Sequence, residues 1–137
     1  MRKPRVAFVP ADQNNLKFVE QLQNSLRKFH NEEELPLIRF DNPNPQDKNF
    51  WYRAKPIIAK QLLEEYETVI GLDADQIILG DISHIWNIDA DVGTVLNDFN
   101  YPLDIWDIGP RFNTPYFNNG LVVLKNKDFV NHWLSIQ

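Results

Sequence analysis

The sequence predicts an α/β domain, a three-layer sandwich around a mainly parallel sheet, and three observations predict it. Short runs of β-branched and aromatic residues recur along the chain. Stretches with helical spacing of apolar residues separate them. The two patterns alternate rather than cluster, which indicates strands joined by crossover helices. At 137 residues and 43% hydrophobic content, the chain suffices for one domain, 1–137, with one real core.

The run RVAFVP at 5–10 reads as a buried first strand. Asp12, Asn14 or Asn15 is placed to cap the helix that follows. In that helix Val19, Leu22, Leu26 and Phe29 form one apolar stripe. LPLIRF at 35–40 is a second strand, and DNPNPQDKN at 41–49 is turn chemistry throughout. A helix over 51–66 carries Ala54, Ile58 and Leu62 on one side, and Pro56 fits only in its first turn. TVIGL at 68–72 is the next strand. Ser83 then caps a single turn through Ile85 and Trp86, before a strand at 91–96. Residues 97–117 hold Asn, Pro, Asp and aromatics, an ordered loop of the kind that lines sites. GLVVLK at 120–125 is the last strand, and Asp128 opens a helix through Val130, Trp133 and Leu134.

Composition removes several function classes. The 14 basic and 19 acidic residues give 14 − 19 = −5, the wrong sign for a non-specific nucleic-acid binder. With no cysteine there is neither a disulfide framework nor a thiolate metal site. Near the N-terminus the apolar run is only Val6 to Val9, too short for a signal peptide or a transmembrane segment. The expectation is a cytoplasmic protein.

The chemistry concentrates in TVIGLDADQIILGDI at 68–82, where an apolar strand runs into Asp73 and Asp75. Two ionised carboxylates so close repel each other, and a bound cation offsets that repulsion. Residues one apart in an extended segment face the same side, so both carboxylates would address one object. Hard carboxylate oxygens favour Mg²⁺, Mn²⁺ or Ca²⁺. Two of them leave most of an octahedral shell for phosphate oxygens. In open α/β sheets ligands also bind beyond the carboxyl ends of strands, where this motif stands. A bare D-x-D is common, however, and the competing reading is a simple turn with capping interactions.

Three segments in order carry a resemblance: RAKPIIAKQLL, YETVIGLDADQIILGDISHIW and PYFNNGLVVLKNKDF. Together they resemble the nucleotide-sugar glycosyltransferases of the GT-A type. The group they resemble most is family 8, the glycogenin-like and lipopolysaccharide galactosyltransferase-like enzymes, over roughly residues 5–134. The resemblance implies a GT-A, nucleotide-diphospho-sugar transferase-like fold lacking its C-terminal part. It also implies hexosyl transfer, retaining in that family, from a nucleoside diphosphate-sugar, most simply a UDP-sugar, to a hydroxyl of a glycan, lipid or protein. Mn²⁺ or Mg²⁺ would be the cofactor. Asp75 would be a direct ligand, and Asp73 would share the metal or hydrogen-bond the ribose.

Other residues follow the same resemblance. Lys55 or Arg53 would neutralise phosphate charge, against the alternative of a solvated helix end. Ala11 and Asp12 follow the first strand where the family binds base and ribose, although capping also explains Asp12. Asn118, Asn119 and Gly120 would lie against the sugar, with Asn119 among the catalytic group; a tight turn into the strand is the alternative. Asp98 and Asp107 sit in or beside the aromatic loop, within reach of the sugar or as loop solvation. His30 and His84 read as helix-terminus residues. The third metal ligand implied by the family is a His well beyond FNNG, and His132 comes too soon after it. The chain ends at Gln137 before that region, so it would be a fragment, a reduced form or one completed by another chain, with a homo-oligomer among the options. The rival of a different class is a non-catalytic nucleotide-sugar or glycan-binding module. A haloacid-dehalogenase-type phosphatase fits less well, because its nucleophilic Asp follows the first strand.

Overall fold

The computed structural model describes residues 1–96 and 117–136, and they form a five-stranded sheet with helices on both faces. In chain order the elements are β1 (Lys3–Pro10), α1 (Leu16–Arg27), β2 (Leu37–Phe40), α2 (Phe50–Leu62), β3 (Tyr66–Leu72), β4 (Val92–Leu96), β5 (Phe117–Leu124) and α3 (Lys127–Ser135). The strand order is β2-β1-β3-β5-β4. β1 pairs in parallel with β2 and with β3, whereas β5 runs antiparallel to both β3 and β4. Four strands therefore point one way and β5 the other. The expected three-layer, mainly parallel sandwich holds, with a reversed strand that apolar patterning does not encode.

Two buried clusters explain the continuous apolar runs. Along β1, Val6 and Phe8 face one side with α2, while Ala7 and Val9 face the other with α1. A strand covered on both faces needs no polar alternation. In β3, Val69 joins the first cluster and Ile70 and Leu72 the second. The chain steps from β1 to β2 on one side, then back past β1 to β3. Right-handed crossovers in opposite directions put α1 and α2 on opposite faces.

Several expected boundaries move for physical reasons. β1 begins at Lys3 because the Lys3 amide donates to the Glu65 carbonyl at 2.7 Å and Lys3 pairs with Tyr66. The same contact ends α2 at Leu62 rather than at residue 66, since Tyr66 already belongs to β3. Pro56 lies in the interior of α2, not in its first turn. It is buried, and packing offsets the hydrogen bond it cannot make. Phe29 falls beyond α1 and is exposed, so the buried stripe is Val19, Leu22 and Leu26, with Ser25 among them. No side chain of Asp12 or Asn15 caps α1; a short 3₁₀ turn, Gln13–Asn15, leads into it instead. Ser83 is inside the next 3₁₀ turn, whose first amide is held by the Asp81 carboxylate at 2.7 Å. At α3 the cap is Asn126, whose side chain accepts from the amides of Asp128 and Phe129. β2 is shorter than expected, β4 starts at Val92, and β5 starts earlier, at Phe117. The expected loop at 97–117, with Asp98 and Asp107, lies outside the described residues apart from Phe117.

Candidate active site

Strand order reverses direction between β1 and β3, and the crevice beyond their carboxyl ends is where an open α/β sheet binds ligands. A pocket of about 200 Å³ opens there, lined by Pro10, Trp51, Tyr52, Lys55, Pro56 and Asp73. Pro10 ends β1, Asp73 follows β3, and the other four come from α2.

The electrostatic centre of this pocket is an ion pair. Lys55 Nζ lies 2.7 Å from Asp73 Oδ1, with the lysine side chain 9% exposed and the aspartate 48% exposed. A lysine is seldom this buried unless its ammonium is paired. The stem lies in the protein and the charge is delivered to the pocket. Arg53, two residues earlier, turns away to Asp47 at 3.2 Å and stays exposed. Of the two basic residues that the sequence left open, the structure brings Lys55 to the D-x-D motif.

The motif itself is a turn. The Gln76 amide donates to the Asp73 carbonyl at 3.2 Å, and the Asp73 amide donates to Gln76 Oε1 at 3.0 Å. The extended segment assumed in placing both carboxylates on one side is therefore corrected: the chain folds back at Asp73. Asp75 occupies the third position of the turn and is exposed. Gln76 Nε2 also donates to the Gly120 carbonyl at 2.9 Å, which ties the turn to β5.

β5 is irregular at this point. Thr94 pairs with Val122 but the next residue, Val95, pairs with Asn118, so Asn119, Gly120 and Leu121 bulge relative to β4. Bulges of this kind re-aim residues beside sites. Gly120 lies inside β5, not in a turn before it, and Asn118 and Asn119 belong to the same strand. On the other flank, Ala11 is buried, with its amide donating to Phe40 and its carbonyl accepting from Arg39 at 2.8 Å. The Asp12 carboxylate accepts from Asn15 at 2.8 Å.

Downstream of the turn, residues 77–82 form neither strand nor helix, yet the amides of Ile78 and Ile82 are held by side chains. Ser25 Oγ accepts from the Ile78 amide at 2.8 Å and donates to the Leu22 carbonyl. His30 Nε2 accepts from the Ile82 amide at 2.9 Å. That amide is an unambiguous donor, so the His30 proton sits on Nδ1, which faces Glu34 at 2.7 Å. The buried His30 ring also packs edge-on against Trp86. His30 is thus a clamp on the segment after the motif, not a plain helix-terminus residue. Neighbouring Asp81 is held below the usual carboxylate range, first by the Ser83 hydroxyl and then by the Ser83 amide.

Sequence reasoning missed Gln76, Ser25 and His30. Ser25 did leave a signal, a polar residue on the buried face between Leu22 and Leu26. His84 and His132 are exposed. A second pocket of similar volume, between β4, β5 and α3, is lined by Val92, Thr94, Val122, Phe129, His132, Trp133 and Ile136 and offers no carboxylate or lysine.

The donor set fits a hard divalent ion in kind: two carboxylates in one turn, beside a buried ammonium suited to a diphosphate. Among the described residues no group of three or more His, Cys, Asp or Glu side chains gathers to complete such a site. No helix among the described residues is long and apolar enough to cross a membrane.

Comparison with known proteins agrees with this fold. The model of glycosyl transferase family 8 matches residues 6–134. No curated protein matches the chain. Among solved structures, the chain is similar to the glycosyltransferase GlyE of Streptococcus pneumoniae TIGR4 in its apo form, at 16% identity and a TM-score of 0.57, over 98% of this chain and 37% of that one. It is also similar to the galactosyltransferase LgtC in complex with donor and acceptor sugar analogs, at 18% identity and a TM-score of 0.64, over 93% of this chain and 60% of LgtC. The bifunctional glycosyltransferase WbbM, in its apo structure, gives 16% identity and a TM-score of 0.64, over 96% of this chain and 32% of that one. At such identities the likeness establishes a shared fold, of which this chain spans roughly a third to three-fifths of each neighbour's length.

Proposed function

The chain belongs to glycosyl transferase family 8, and from that premise we propose that it moves a sugar from a nucleoside diphosphate donor to an acceptor hydroxyl, with Mn²⁺ or Mg²⁺ as cofactor. The observation that carries this reading is the Lys55–Asp73 pair in the crevice where strand order reverses. A buried ammonium beside a carboxylate turn suits a ligand that is anionic and arrives with a cation.

In this reading Asp73 and Asp75 hold the ion, and Lys55 places its charge against the diphosphate. When bound, the ion would spread the negative charge that grows on the leaving nucleoside diphosphate. Trp51 and Tyr52 wall the pocket and would lie along one side of the donor. Ala11 and Asp12, beyond β1, would meet the base and ribose. Asn118, Asn119 and Gly120 would address the donor sugar and the acceptor. We take the donor as a UDP-sugar, the transfer as retaining and the enzyme as cytoplasmic. An acceptor hydroxyl of a glycan, lipid or protein completes the reaction.

The test is incubation of the 137-residue chain with Mn²⁺ and a panel of UDP- and GDP-sugars, following nucleotide release, alongside calorimetry with UDP. The expected result is manganese-dependent release from one donor, and UDP affinity that rises with manganese. Asp75→Asn should lower that affinity about tenfold or more. UDP affinity indifferent to manganese, or unchanged in Asp75→Asn, would overturn the metal-bridged site. Thermal stabilisation by UDP and manganese with no release from any donor would make the chain a nucleotide-sugar-binding module.

A further inference from the structure

Gln76 joins two parts of the site that are 44 residues apart in sequence, and it does so with a single amide group. Its Oε1 accepts from the Asp73 amide at 3.0 Å and its Nε2 donates to the Gly120 carbonyl at 2.9 Å. One partner is a pure donor and the other a pure acceptor. A primary amide meets both from one rigid plane, its oxygen toward the donor and its N–H₂ toward the acceptor. Asn is a methylene shorter and cannot span the same pair without moving one backbone. The assignment of oxygen and nitrogen is therefore forced by the partners.

The bond to Asp73 closes a ring with the reciprocal bond from the Gln76 amide to the Asp73 carbonyl. That ring sets the shape of the turn carrying Asp73 and Asp75. The bond to Gly120 sets where this turn sits against the bulged part of β5. Without it, the ladder between β3 and β5 stops at the Leu72–Leu121 pair, one residue short of Asp73.

We propose that Gln76 is a positioning residue for glycosyl transfer, fixing the carboxylate turn to β5 so that the diphosphate end and the sugar end of the donor are held at a set separation. This rests on the transferase reading above. It concerns geometry between two elements, so its loss falls on the rate of transfer more than on donor capture.

Two variants test it. Gln76→Glu keeps the acceptor for the Asp73 amide but sets a carboxylate oxygen against the Gly120 carbonyl, so it breaks only the link to β5. Gln76→Met keeps the length and loses both bonds. Each is measured for kcat, donor KM, UDP–Mn²⁺ affinity by calorimetry, and amide exchange at Asp73 and Leu121. The expected result for Gln76→Glu is a kcat about 10- to 100-fold lower with donor KM within about threefold, as is typical when a partner behind a ligand is lost. Amide exchange at Asp73 should stay protected in Gln76→Glu and rise in Gln76→Met. Unchanged kcat in Gln76→Glu, in a protein whose parent turns over, would overturn this inference and leave the transferase reading standing. A matched fall in kcat and rise in KM would assign Gln76 to donor binding and also overturn it. A parent chain that neither binds nor turns over any donor would sink the transferase reading, and this inference with it.

Discussion

Ser25→Ala isolates one buried hydrogen bond with almost no change of volume. The Ser25 hydroxyl accepts from the Ile78 amide at 2.8 Å, and both residues are buried, at 6% and 8% exposure. Removing the acceptor strands a buried backbone N–H, which costs about 1–3 kcal/mol. Alanine is the better helix former, here in the last turn of α1, and returns roughly 0.5 kcal/mol. The Ser25 bond to the Leu22 carbonyl is local within the helix, so its loss adds little. The net expectation is a loss of about 0.5–2.5 kcal/mol, or about 2 to 9 °C in Tm for a chain of this length. Urea titration followed by tryptophan fluorescence measures the first quantity. Amide exchange at Ile78 should accelerate by the same free energy if opening there is global, and by more if residues 77–82 open on their own. Ser25→Thr, which keeps the hydroxyl, is the control. Stability within about 0.3 kcal/mol of the parent, with Ile78 exchange unchanged, would refute the claim that α1 holds the chain beyond the motif.

Gly71→Ala should destabilise by about 1–3 kcal/mol in the same titration, because its Cβ would stand 3.0 Å from both Phe8 Cζ and Val122 Cγ1 in a packed core. Unaltered stability would mean that the Phe8 ring moves aside freely. Asp81 supplies a pH test: its carboxyl is held low by Ser83, so it stabilises the fold above its ordinary value of 3.8 and loses that contribution as pH falls through its lower folded value. Asp81→Asn should therefore be less stable than the parent near pH 6, with the gap closing in acid; a gap independent of pH between 2 and 6 would contradict this.

Much of the fold is legible in the residues because burial on both faces leaves a plain mark. Val6 to Val9 and the run into Asp73 need no structure to be read as central strands. The direction of β5 leaves no such mark, since an apolar run reads the same in either sense. Pro56 misled because a proline inside a helix is costly in isolation, while here burial against the sheet offsets it. At the site, the carboxylates and Lys55 were visible as chemistry. The turn at Asp73 was not, because it depends on Gln76 and, through it, on Gly120. What Ser25 and His30 bind was hidden for the same reason, although Ser25 stood out on its apolar stripe: their partners, Ile78 and Ile82, stand 53 and 52 residues away. Side-chain bonds to distant backbone carry no local periodicity, and these are what shape the segment after the motif.

The reversed strand has an effect on what a bound molecule meets. Because β5 runs against β3, the finish of one strand and the beginning of the other arrive at the same rim, and residues far apart in the chain become next-door neighbours there. In an all-parallel arrangement, Asn118 to Gly120 would have emerged at the opposite edge, a full strand length from Asp73. Turning one strand around shortens that distance to the reach of a single glutamine.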